Sequence, residues 1–276
     1  MALNKKIKTA LLWTFTILFT LGIAAYQRTT GPTYPIKGEK QLLEETIKYK
    51  LLRSHNDDSN AKIIIAVPNN NISGKLIYRH YNSNEELTIC NMKYIDGELV
   101  GELPSQPPAG KIEYDVIISS GNSQIKLNDN KVVIRFKGEV PLYILLPHIL
   151  LMFIAMLMAT RTAMEIIFKG SKAYKYTTIT MLTLFAGGLI LGPIVQKYAF
   201  GELWTGWPFG GDWTDNKTLL AFIFWLVAFF RLRKDRKKTI WAIIATIVLL
   251  GIYLIPHSTG GSELNYKTGN IETGIQ

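Results

Sequence analysis

The chain contains a single cysteine, Cys90, in 276 residues. A lone thiol closes no internal disulfide, and without a CxxC pair or a Cys/His cluster nothing points to zinc binding or thiol exchange. Any exported part of the protein is therefore held by its core alone. No G-x-S-x-G turn, P-loop or dinucleotide-binding glycine motif occurs, which removes the usual signatures of serine hydrolases and nucleotide binders. Histidine is scarce, with four residues, and acidic residues are outnumbered 21 to 31 by basic ones, for a formal charge of +10. The basic residues cluster beside long apolar runs, where the positive-inside rule accounts for them, so the charge is not read as a nucleic-acid surface.

What is present in excess is apolar sequence: 48% of residues are hydrophobic and the mean hydropathy is positive. These residues are gathered into runs, as in a membrane protein with several spans. Three lysines in MALNKKIK precede the apolar run Thr9 to Tyr26, whose length just suffices for a bilayer core. The run exceeds the usual apolar region of a signal peptide, so residues 1–33 are read as an uncleaved anchor; the alternative is cleavage near Ala24 or Ala25. Further apolar stretches run from Val140 to Thr160, Tyr176 to Val195, Thr218 to Phe230 and Thr239 to Ile255. Arg161, Lys169, Lys172 and Lys175 follow the second span and RLRKDRKK follows the fourth, which marks both connections as cytoplasmic. The expected topology is five transmembrane helices with the amino terminus inside, in a bacterial-type inner membrane. The four-helix membrane domain then occupies 140–257, and 258–276 is an external tail.

Residues 34–139 differ in character. From Ala61 onward, short β-branched or alternating runs (AKIIIAV, GKLIYRHY, ELTICNMKYI, ELVGEL, KIEYDVIIS, QIKL, KVVIRF) alternate with turn sequences such as PNNN, DG and SQPPAG. Seven such strands predict an exported all-β sandwich of immunoglobulin or fibronectin type between the first two helices. Upstream, EKQLLEETIKYKLL has helical spacing and predicts a short amphipathic helix between Gly38 and Arg53. His80 and Cys90 fall inside strand patterns with no ligand-spaced neighbours and read as ordinary strand residues. Arg161 and Glu165, four apart near a helix end, predict an ion pair.

The richest connection is residues 197–217, KYAFGELWTGWPFGGDWTDNK, which holds Trp204, Trp207, Trp213, Asp212 and Asp215. On the expected topology it lies on the external face, at the depth of His148 near the start of the second span and His257 just after the fifth. Imidazoles near hydrocarbon are candidates for function because an unpartnered one is costly there. Two neutral imidazoles ligate a haem iron, indoles suit the porphyrin faces, and acids or backbone donors orient its propionates. His148, Met152 and Met156 share one helix face, an arrangement that suits haem iron or copper, or simply packing. Asp212, Asp215 and Glu263 leave a metal-assisted site open. The plainer role for the two aspartates is to bond the loop backbone, with Asp215 or Thr214 capping the fourth helix.

The segment WPFGGDWTDNKTLLAFIFWLVAFFRLRK resembles the tryptophan-rich signature of the WWD-domain haem-handling membrane proteins of cytochrome c maturation. Trp204, Trp207, Asp212 and Trp213 match the character of that family's external loop, Trp225 its following helix, and Arg231 and Arg233 the inner end. One histidine precedes the loop and another follows it, so the family's external haem ligands carry over to His148 and His257. The resemblance implies a protein that holds or relays haem on the external face, in assembly of a c-type cytochrome or a respiratory complex. Its partners would be the lipid bilayer, haem, and an apocytochrome or respiratory-complex subunit. Two other readings stay open: a cofactor-free envelope scaffold acting through its β domain, and a metal-assisted membrane enzyme using the external acids.

Overall fold

The computed structural model describes residues 5–255 and 260–273. Three helical stretches are long and apolar enough to cross a membrane: Lys6–Thr30, Leu142–Ile167 and Ala173–Phe200. They comprise α1 (Lys5–Thr30), α2 (Leu142–Ile167), and a third rod built of α3 (Ala173–Leu184), a π-helical turn (Phe185–Leu191) and α4 (Gly192–Phe200). Two more helices complete the bundle, α5 (Trp213–Lys234) and α6 (Ile240–Leu254). α5 carries Asp215 in its first turn and Arg231, Arg233 and Lys234 in its last. α6 has 15 residues, or about 22 Å of helix.

The bundle closes on small residues. Ala155 and Ala159 of α2, Ala221 and Ala228 of α5, and Ala242 and Ala245 of α6 are buried around Trp225, because alanine lets helix backbones approach closely where lipid supplies no hydrophobic drive. Cross-helix bonds add direction. Thr246 donates to the Ala159 carbonyl at 3.2 Å, and the Tyr253 hydroxyl donates to the Met152 carbonyl at 3.1 Å. At the end remote from the β domain, Arg161 and Glu165 form the expected ion pair at 2.8 Å. The Arg161 guanidinium lies within about 5 Å of the rings of both Trp13 and Tyr176, which meet edge-on, so α1 helps cover this charge. The Arg236 guanidinium, in the turn between α5 and α6, sits 3.3 Å from the ring centroid of Tyr174 at the start of α3.

Between α1 and α2 lies a β domain. β1 (Ile36–Leu42) and β2 (Glu45–Leu51) form a hairpin, and β4 (Ala61–Ala66), β8 (Glu98–Leu103) and β7 (Lys93–Ile95) form a three-stranded sheet. The larger sheet is ordered β3 (Ser54–Asn56), β11 (Val132–Lys137), β9 (Lys111–Ser120), β5 (Ile72–His80) and β6 (Thr88–Asn91), with β10 (Ser123–Lys126) paired to β9. Both sheets and the hairpin share one core, where Ile63, Ile65, Leu76, Leu99, Val116 and Phe136 are buried. β4 alternates buried and exposed along its whole length, the period-two pattern of a strand with one wet face. The run ELTICNMKYI is two strands rather than one. Met92 breaks it, donating its N–H to the Gly74 carbonyl at 2.8 Å and burying its side chain in the core, so that β6 and β7 belong to different sheets.

The helix expected between Gly38 and Arg53 is absent; the segment is the β1–β2 hairpin. Ile47 and Leu51 of β2 point inward with Leu42, while Lys48 and Lys50 are exposed. Burial of this alternating set against β4 overrides a helical spacing that is only local. A second, small hairpin, β12 (Ser262–Leu264) with β13 (Ile271–Thr273), lies in the tail.

Candidate functional site

The β domain, the 201–212 loop and the tail hairpin interlock over one end of the bundle. Gly138 donates to the Ala199 carbonyl at 3.0 Å, and Leu264 to the Ala109 carbonyl at 3.1 Å. A Cβ at Gly138 would fall on the Tyr198 carbonyl oxygen, so only glycine allows the strand exit to lie this close to α4. The Tyr266 hydroxyl accepts from the Lys111 N–H at 2.9 Å and donates to the Lys111 carbonyl at 3.0 Å. Burial pushes that hydroxyl up to about 12. Lys111 and Glu263 pair at 2.5 Å. Burial holds the Lys111 ammonium below the usual lysine range, by more than the Glu263 contact restores.

Within the loop the two aspartates act as acceptor hubs. Asp212 caps α5, accepting from the Thr214 N–H at 2.7 Å. Its other oxygen accepts from the Thr205 hydroxyl, the Ser262 N–H and the Ser262 hydroxyl, each at 3.0 Å. One oxygen of Asp215 takes the Thr205 N–H at 2.7 Å, the Gly206 N–H at 3.0 Å and the Gln196 amide at 3.1 Å. The cap is thus Asp212, not Asp215 or Thr214, and Asp215 instead binds the loop backbone.

Beneath this lid a cavity of about 570 Å³ runs down between α1, α2, the π turn, α5 and α6. Its deep part is apolar, with Phe153, Met156, Leu184, Ala221, Leu249 and Ile252 in the wall. Its mouth is polar and carries Arg28, Arg135, Gln196, Asp212, Asp215 and Lys217. His148 lies between these zones. Its Nδ1 donates to the Gly187 carbonyl at 2.9 Å, in the π turn where Gly187 lets the third rod approach α2 and Gly188 lets it approach α5. A carbonyl only accepts, so Nδ1 carries a proton, and in the neutral imidazole Nε2 keeps its lone pair. Second-sphere bonds of this kind orient histidine ligands in metal and haem sites.

Of the residues singled out from sequence, His148, Met152, Met156, Asp212 and Asp215 line this cavity. Trp204, Trp207 and Trp213 do not, so the expected indole wall facing His148 is not formed there. Trp207 and Trp213 are 69% and 50% exposed, and the Trp204 indole donates to the Trp207 carbonyl at 3.1 Å. Three rings in so short a loop cannot all turn inward once Asp212, Asp215 and Asn216 have fixed its backbone from within. His257 lies outside the described residues. Among the described residues no group of three or more His, Cys, Asp or Glu side chains is placed to hold a metal ion, so Asp212, Asp215 and Glu263 do not converge as a ligand set.

Sequence reasoning missed Arg135, Lys217, Gln196 and Ser262. They come from a strand, two helices and the tail, and no local spacing links them. The one available signal was Arg135, a cation between Ile134 and Phe136 in an apolar strand; Lys217, between Asn216 and Thr218, carried none.

Three crossing-length helices joined to a β domain define the class, an integral membrane protein with a substantial domain at one membrane face. Compared with protein-family models, curated proteins and solved structures, the chain matches none, so its particular role rests on the chemistry of the cavity.

Proposed function

We propose that this protein holds haem in the cavity beneath the 201–212 loop, with His148 as the iron ligand, on the external face of a bacterial-type inner membrane. In this reading it carries haem toward an apocytochrome or a respiratory-complex subunit. The carrying observation is the His148 bond to the Gly187 carbonyl, which occupies Nδ1 and, in the neutral imidazole, leaves the Nε2 lone pair for a ligand in the wall of an amphiphilic cavity. The residues fit the group. The cavity volume is within the range of small-molecule and cofactor sites, the apolar depth with Met152 and Met156 suits a porphyrin, and cations at the mouth suit its propionates. Bound there, haem would supply an iron for ligation or electron transfer; the chain's part is to seat, orient and shield it.

Two finer features belong to the same proposal. α5 and α6 cross the membrane as well, giving five spans with the amino terminus inside. The stacking of Arg236 on Tyr174 supports this, since it carries α5 from the lid to the level of the α2–α3 turn. The β domain is an external sandwich of immunoglobulin or fibronectin type, supported by its two sheets over one core.

Protein purified after expression with added haem should show a Soret band, and His148→Ala should abolish or shift it. Absence of the band, or a band unchanged in both His148→Ala and His257→Ala, would end the haem reading.

A further inference from the structure

The mouth of the cavity contains more hydrogen-bond donors than the protein satisfies. Arg135 projects from β11 into the lining at 7% exposure. One of its terminal nitrogens donates to the Ser262 carbonyl, and its plane lies 3.8 Å from the ring centroid of Phe200. Its Nε is buried with no hydrogen-bond partner. Burial holds this guanidinium down to about 10, with Asp212 and Glu263 opposing the shift, so at neutral pH it remains a cation. Lys217, one turn into α5, lines the same mouth at 6% exposure. Its ammonium has three donors and no hydrogen-bond acceptor among the described residues.

The nearby acids do not fill this need. Asp212 has committed both of its oxygens, and Asp215 one of its two, to backbone, hydroxyl and amide donors of the loop and tail. Neither acid bonds Arg135 or Lys217 among the described residues, so toward these two cations they contribute field. The charged side chains of the lining are Arg28, Arg135 and Lys217 against Asp212 and Asp215; Arg28 is exposed, so the buried charges balance and the unmet need is for acceptor atoms. The Arg135 Nε is sealed from solvent without a partner, and a buried charged donor left so costs its desolvation in full; the Lys217 ammonium keeps some accessible surface and is free to meet a ligand. An acceptor-bearing group from outside the chain resolves the unpaired donors.

We infer that Arg135 and Lys217 form a carboxylate site at the mouth of the cavity, selecting an amphiphile with an acidic head and an apolar body that fills the space below. Haem propionates and a fatty-acid carboxylate offer the same chemistry. The inference shares its cavity with the haem reading but does not require iron, and esterification separates the two, since it removes the acidic head and leaves the body intact.

The protein is reconstituted in phosphatidylcholine nanodiscs and titrated with four probes. Haem and haem dimethyl ester are followed by absorbance, and spin-labelled stearic acid and its methyl ester by the immobilised fraction of the electron spin resonance signal. Wild type should favour the acid over the ester by about tenfold or more in at least one pair, the worth of a desolvated charge-assisted bond. Lys217→Met should reduce that preference below about threefold, and Lys217→Arg should restore it. Arg135→Lys, which keeps the charge but loses the fork, should lower it partially. Equal binding of acid and ester, no binding of any probe, or a preference untouched by Lys217→Met overturns the inference. Stearic acid discrimination without any Soret band retains the carboxylate site and discards haem. Equal Soret titrations for haem and its diester, with no stearic acid preference, do the reverse.

Discussion

At the scale of single residues, Asp212 is where the site hypotheses diverge. Its four accepted bonds join the start of α5, the loop and the tail, which makes it a holding residue more than a ligand contact. Asp212→Ala removes a helix cap, worth about 1 kcal/mol, and strands buried donors at about 1–3 kcal/mol each. Thermal unfolding in detergent should show destabilisation of about 4 kcal/mol or more for Asp212→Ala and less for Asp212→Asn, which retains one carbonyl acceptor. Lost ligand binding at an unchanged midpoint would show instead that Asp212 serves the ligand directly. The acid was legible from the sequence and its neighbours were not. A glycine- and tryptophan-rich loop with two aspartates advertises a constrained turn, but that Ser262, some fifty residues on, donates twice to one of them is a property of the folded chain.

At the scale of elements, strands broken by Gly, Pro and Asn were readable because each turn type demands particular residues, and the long apolar helices because a bilayer demands length. The β1–β2 hairpin was not. EKQLLEETIKYKLL puts leucines and isoleucine at spacings compatible with a helix, and only the sheet beside it reveals that Ile47 and Leu51 share a face with Leu42. The hairpin turn retains a trace of that conflict. Leu43 has φ +57° and an exposed side chain, a left-handed conformation that costs a non-glycine residue about 1–2 kcal/mol. Leu43→Gly should therefore raise the stability of the β domain by about 1 kcal/mol, the strain relieved being offset in part by the looser unfolded chain. Circular dichroism melts of the full-length protein test this; a loss of stability would mean that the Leu43 side chain has a packing role.

At the scale of the whole molecule, the lid, cavity and basic turns depend on how many times the chain crosses the bilayer. Length and apolarity single out three crossings, and α6 alone is shorter than the hydrocarbon core. Yet α5, at 22 residues, is about 33 Å long. It runs from the Asp212 cap beside Ser262 to the Arg236–Tyr174 stack, matching the full depth of the third rod. A short α6 is accommodated if its ends are extended by non-helical chain buried against protein, or if the bilayer thins around it. In a Cys90→Ser background, Phe209→Cys and Lys267→Cys should react with a membrane-impermeant maleimide in intact cells, whereas Ser171→Cys and Lys237→Cys should react only after permeabilisation. Labelling of Lys237→Cys in intact cells would make α5 and α6 a re-entrant hairpin. The cavity mouth and Arg135 would then still face outward, but the basic turn at Arg236 would have left the cytoplasmic side, and the positive-inside account of this chain's charge would fail with it.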